Sequence, residues 1–170
     1  AYPAGGGQPS DAGRIVGGGG GGVTFTVQDV KVVDGSVLHL GTFHEEGAEA
    51  QAFAPGADVT VHIDADRRLL NARIHSGGHL LDVAMTNVGF GPGVLVPAKG
   101  LHTPEQAYVE YTGKAEGLDK DKLMADLKAE MSRLVAAGGR SAAGIMTYDA
   151  AAEACGGSLP PYIPLGSSPR

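Results

Sequence analysis

The sequence predicts an α+β protein: a small antiparallel β subdomain, barrel-like, followed by an α+β domain. Three observations carry this reading. Apolar residues alternate in short runs within the first 63 residues. Two later runs have helical periodicity and begin at aspartates suited to N-caps. A strand-like run lies between those two helices, giving the order strands, helix, strand, helix, strand. A length of 170 residues supports one compact domain or two small subdomains sharing a core. The expected division is 1–63, a glycine-rich loop with the β subdomain, and 64–170, the α+β domain.

Residues 1–22 read as loop. From Val23 to Val33 the alternation of Val23, Phe25, Val27, Val30 and Val32 predicts a half-buried strand. Asp34-Gly35 followed by Val37-Leu38-His39-Leu40 is a hairpin signal. Residues 41–57 read as loop containing Glu45 and Glu46, and Val59 to Ile63 as a further strand. Asp64 caps an expected helix from Arg67 to Thr86, whose apolar residues are Leu69, Leu70, Ile74, Leu80, Leu81 and Val83. Gly77-Gly78 interrupts that helix at about 1 kcal/mol per glycine relative to alanine. Close approach of backbone or ligand is the usual justification. Tyr108 to Tyr111 reads as a strand, and Asp119 caps a second helix ending at Gly138-Gly139. Ile145-Met146 is a strand candidate and Ala150 to Ala154 a short helix candidate.

A net charge of −6 argues against a general nucleic-acid binder and for no DNA partner, although a local basic patch can still exist on an acidic protein. No apolar run approaches the roughly 18 residues of a membrane span, so no membrane partner is expected. The single cysteine, Cys155, excludes an intrachain disulfide and fits a reducing, cytoplasmic setting. The first residue is alanine and the last five are loop-like, so further residues are expected at both ends.

His75 and His79 stand one helical turn apart, which places both imidazoles on one face with Cβ atoms about 5–6 Å apart. Such a pair can share a metal ion, zinc by ligand type. Spacing alone does not separate this from two ordinary helix histidines, and no glutamate follows His75 as in a metalloprotease helix. His39, His44, His62 and His102 have no ligand-like spacing and read as surface or strand residues.

The segment Ala72-Arg73-Ile74-His75-Ser76-Gly77-Gly78-His79-Leu80-Leu81-Asp82 resembles the histidine motif of the alanyl-tRNA synthetase editing domain and its free-standing AlaX relatives. The segment Tyr2 to Gly13, with Gly5-Gly6-Gly7-Gln8-Pro9 at its centre, resembles the glycine-rich motif of the same family. Tyr108-Val109-Glu110-Tyr111-Thr112-Gly113 fits its strand before the long helix, so the resemblance covers nearly the whole chain. It implies the second-additional-domain fold of threonyl- and alanyl-tRNA synthetases. It also implies a zinc-dependent hydrolase that removes serine, and in some cases glycine, from alanine tRNA. By this resemblance His75 and His79 match two metal ligands, and Gln8 an amide of the editing pocket. Ser76 stands where a small hydroxyl can bond the substrate. The plain alternatives are a turn residue for Gln8 and a hydroxyl bonded back to the helix for Ser76. Arg67, Arg68 and Arg73, with Lys99 and Lys114, are candidates for tRNA phosphate, or equally for a solvated face and ion pairs with Asp64 and Asp66.

One departure matters. The family completes its zinc site with Cys-Gly-Gly-Thr-His, whereas Cys155-Gly156-Gly157-Ser158-Leu159 ends in leucine, which cannot bind zinc. Either the site has decayed and the chain is a non-catalytic tRNA-binding module, or the true Cys/His pair lies beyond Arg170. The stretch from Leu159 to Arg170 resembles an insertion of eukaryotic members, which favours the second and makes Cys155 a buried small residue. A third reading is the editing-domain fragment of a complete synthetase.

Overall fold

A computed structural model describes residues 1–17, 23–44, 53–91, 93–140, 144–155, 157, 159 and 163–168. Glu45, Glu46, Gly156, Ser158, 160–162 and most of the Gly17–Gly22 run lie outside the described residues. Among the described residues the architecture is α+β with antiparallel strands and three α-helices.

Strands β1 (Gly13–Gly17), β2 (Thr24–Val33), β3 (Ser36–Phe43) and β4 (Val59–Ile63) form a sheet of order β3-β2-β1-β4. Every pairing in it is antiparallel. Among the described residues the sheet is open rather than barrel-like, since β3 and β4 are its two edges. Four strands are too few to close around a filled interior. The β2–β3 turn is local chemistry: Asp34 at φ 48° and Gly35 at φ 77° take the left-handed pair that a tight hairpin requires. Segment 13–17 is strand where loop was expected, and it is the central link of the sheet. Five residues between glycines carry too little periodicity to be read; the ladder on both sides makes the strand.

Alternation places Ile15 opposite Phe25 and Gly13 opposite Val27 on one face. There Ile15, Val27 and Val30 are buried, with Phe25 and Phe53 against them. Phe25 and Phe43 meet edge-on at 4.9 Å between ring centroids. Arg14, Thr26 and His62 fall in register on the other face.

Helix α1 (Ala65–Met85) starts where Arg67 N–H donates to Asp64 Oδ1 at 3.0 Å. It runs into one π-helical turn, Thr86–Phe90, which contains Gly89 at the non-helical φ of 94° and is capped by Gly91. Strands β5 (Leu95–His102) and β6 (Ala107–Gly113) form a separate pair. β5 had no clear signal, because Pro97 and Gly100 depress strand propensity; a two-stranded sheet has only edges, where proline is tolerated. Helix α2 (Lys120–Ala137) is capped by Asp119, which accepts from Lys122 N–H at 3.0 Å, and it ends at Gly138. Helix α3 (Tyr148–Ala154) is capped by Thr147. Ile145-Met146, expected as a strand, is coil and exposed; two apolar residues make no strand without a ladder partner.

The chain divides into two compact units, Ala1–Gly78 with Gly100–Tyr108, and His79–Lys99 with Val109–Arg170. In the second, Asn87 Nδ2 donates to Glu130 Oε1 at 2.6 Å, tying the π-turn to α2. Arg133 and Asn87 together hold the Glu130 carboxyl down at about 2. Tyr111 Oη donates to Asp82 Oδ1 at 2.6 Å. Burial first, then that carboxylate, raises the Tyr111 phenol above its ordinary value. No helix among the described residues is long and apolar enough to cross a membrane.

Candidate functional site

The glycine-rich segment folds back on itself because two of its glycines permit it. Gly6 and Gly7 take φ 56° and 79°, and Gly5 and Gln8 exchange backbone hydrogen bonds at 3.0 and 3.1 Å. That is a tight reversal few other residues adopt. It turns Gln8 inward, where the residue is buried at 8% exposure. The turn is anchored on both sides. Ala4 N–H donates to Val30 O at 2.9 Å, and Ser10 Oγ donates to Asp29 Oδ1 at 2.8 Å.

Asp11 forms the strongest anchor. Its carboxylate accepts from Tyr2 N–H at 2.6 Å and Arg68 Nε at 2.7 Å, and pairs with Arg68 Nη2 as well. The Arg68 guanidinium also lies 5.7 Å from the centre of the Tyr2 ring. Burial acts to raise the Asp11 carboxyl; the Arg68 and Tyr2 hydrogen bonds and the nearby positive charge outweigh it and hold it below its ordinary value. The glycine-rich motif is thus clamped to α1.

The clamp brings the two motifs together. Gln8 Oε1 stands 2.9 Å from His75 Nδ1, within the first unit. His75 is half-buried, and the division between the units falls between Gly78 and His79. His79 follows one turn later on α1 and is exposed, as are Ser76, Arg67 and Arg73. Lys99 and Lys114 are exposed too. Arg68, read as a tRNA contact, is engaged by Asp11.

A residue that sequence reading missed completes the group. His102 was taken as a surface or strand histidine; it is buried at 7% exposure and its ring stacks on that of His75. The centroids are 4.8 Å apart and the planes 9° from parallel. His102 N–H donates to Gly7 O at 2.9 Å, so β5 ends against the glycine turn. A Cβ on Gly78 would sit 2.3 Å from His102 Cε1, whereas one on Gly77 would meet no described atom within 4 Å. The costly helix glycine is therefore explained at Gly78 by a ring pressed onto the backbone. That unexplained cost was the one sequence signal that something packs there.

Cys155 also differs from expectation: it is exposed at the C-cap of α3, whose only buried residue is Ala151. A helix of seven residues with one buried position leaves its end in solvent. The described residues contain no group of three or more His, Cys, Asp or Glu placed to hold a metal ion. An open groove of about 530 Å³, lined by Arg14, Thr26, His44, His62 and Asp64, involves neither Gln8 nor His75.

Fold and site together define an α+β protein whose glycine-interrupted, histidine-bearing helix is clamped to a glycine-rich turn. Comparison with known sequences supplies the relatives. The chain is similar to alanine–tRNA ligase of Methanothrix thermoacetophila, 41% identical over 81 residues, covering 48% of this chain and 8% of the ligase. It is similar to alanine–tRNA ligase of Methanosarcina mazei, 37% identical over 87 residues, covering 51% and 9%. It is also similar to the alanyl-tRNA editing protein AlaX-M of Pyrococcus horikoshii, 39% identical over 88 residues, covering 51% and 35%. The matched region is thus about half of this chain and a minor part of each relative. No family model matches the sequence. The chain is a homologue of alanyl-tRNA synthetase and AlaX-M sequences, in keeping with an alanyl-tRNA editing domain.

Proposed function

We propose that this chain carries a trans-editing hydrolase that deacylates alanine tRNA mischarged with serine, and also with glycine, in the cytoplasm. The observation that supports this best is the 2.9 Å approach of Gln8 to His75, which joins the two motifs that resemble the editing family. Similarity to an alanyl-tRNA editing protein agrees with it.

In this reading the Gln8 amide faces the ester or amino acid, and the Ser76 hydroxyl meets the substrate hydroxyl. Alanine is spared because its side chain would leave those polar groups without a partner. Gly77 keeps the adjacent helix surface open. Arg67 and Arg73 face solvent and can neutralise phosphate, whereas Arg68 is committed to Asp11. His75 and His79 suit zinc in donor type and would supply two ligands of a tetrahedral set. Held by these residues, zinc would supply Lewis-acid chemistry, lowering the pKa of water towards about 7 or polarising the ester carbonyl.

A second reading has its own support: with Leu159 in place of a histidine and no group of three ligands among the described residues, the chain fits a non-catalytic tRNA-binding module. Similarity to two ligases likewise suits the editing fragment of a synthetase. The experiment is release of labelled serine from Ser-tRNA(Ala) by the full-length protein, with and without chelator. Release that chelation stops is expected; no release by metal-loaded protein removes the deacylase reading. His79→Ala should abolish turnover and leave the circular dichroism spectrum unchanged, because the residue is exposed. Undiminished turnover would contradict its role as a ligand.

A further inference from the structure

We propose that His102 is a positioning residue: its ring is the platform that holds the His75 imidazole in the rotamer where Nδ1 faces Gln8. This rests on the reading of His75 as a site residue given above. The terminal torsion of a histidine is broad and roughly two-fold, so packing against a flat surface is what defines the ring plane. The Gln8 contact at 2.9 Å fixes one nitrogen of a half-buried ring. The parallel stack, 9° between planes, restricts the tilt and swing that remain.

A platform must itself be immobile, and His102 is held on several sides. Its backbone N–H is bound to Gly7 O. Its ring lies against three positions that carry no side chain: a Cβ would come within 2.3 Å at Gly78, 2.7 Å at Gly100 and 2.9 Å at Gly7. Those glycines belong to α1, β5 and the glycine-rich turn, so one ring is registered against all three segments. The consequence is chemical. An amide oxygen only accepts, so the contact with Gln8 Oε1 favours a proton on His75 Nδ1, and a neutral ring held that way would offer Nε2 as ligand or base.

The test uses His102→Phe and His102→Gln in the full-length protein. Phenylalanine keeps a flat ring; glutamine keeps length and polarity without one. Long-range ¹H–¹⁵N correlation reports the His75 tautomer directly, and serine release reports turnover. His102→Phe should retain the Nδ1–H tautomer and kcat/KM within about threefold of the parent, while His102→Gln should average the two ring nitrogens and lose ~10–100-fold, in kcat rather than KM. A His75 spectrum unchanged in His102→Gln, or scrambled equally in His102→Phe, overturns the proposal. If His102→Gln does not fold, the His102→Phe spectrum decides alone. If the parent protein releases no serine, the deacylase reading fails and the spectra still decide the role of His102.

Discussion

Gly78→Ala is expected to destabilise the protein, and Gly77→Ala, its neighbour on the same helix, to stabilise it. Both changes remove the same backbone-entropy penalty, worth about 1 kcal/mol in a helix interior. At Gly77 the new methyl meets no described atom within 4 Å, so most of that gain is realised. At Gly78 it would lie 2.3 Å from His102 Cε1 and 2.8 Å from Nδ1, distances no carbon tolerates. The ring cannot retreat, since Gly100 and Gly7 close in from other sides and its backbone is bound to Gly7. Overpacking of this kind costs up to about 3 kcal/mol, which leaves a net loss of about 1–2 kcal/mol. Urea denaturation of both variants measures it, with midpoints moving in opposite directions. Equal midpoints would mean that the His102 ring does not press on α1. Serine release should fall in Gly78→Ala, because crowding of the His102 ring disturbs the surface on which His75 stacks.

Asp11→Asn is expected to cost about 2–3 kcal/mol at neutral pH, the scale of losing hydrogen bonds to a charged group. The Asp11 side chain is 2% exposed and receives three donors, so the neutral amide leaves Arg68 without its buried partner. The Arg68 side chain is 38% exposed and can turn to water, which keeps the loss below that of a fully buried pair. The effect depends on pH with a definite sign. The folded-state carboxyl lies below its ordinary value of 3.8, so its contribution is complete above 3.8 and is lost as pH falls through the lower folded value. Melting temperatures of parent and variant should differ at pH 7 and converge in acid below 3.8. A constant gap across that range would show that Asp11 acts through packing and not through charge. Loosening this clamp should also free the turn that carries Gln8, and reduce turnover accordingly.

Much of the fold was legible because it is written in short-range chemistry. The Asp34-Gly35 hairpin follows from two residues that tolerate positive φ. The starts of α1 and α2 follow from Asp64 and Asp119 bonding the third residue onward. The strand Val59–Ile63 follows from alternation alone. Three features were not legible. Strand β1 is too short for a period, and β5 contains proline and glycine. Cys155 was placed inside and lies in solvent. Each depends on what packs beside the segment, which its own residues do not encode.

The candidate site divides in the same way. The sequence by itself determined that a glycine-rich turn exists, that His75 and His79 share a helix, and that a glycine pair weakens that helix, since these properties need only neighbours a few positions away. Only the tertiary structure decided that Gln8 reaches His75, that Arg68 is taken up by Asp11, and that His102 stacks on His75. Those contacts join segments far apart in the chain, and their geometry is set by three side-chain-free backbone positions closing on one buried ring.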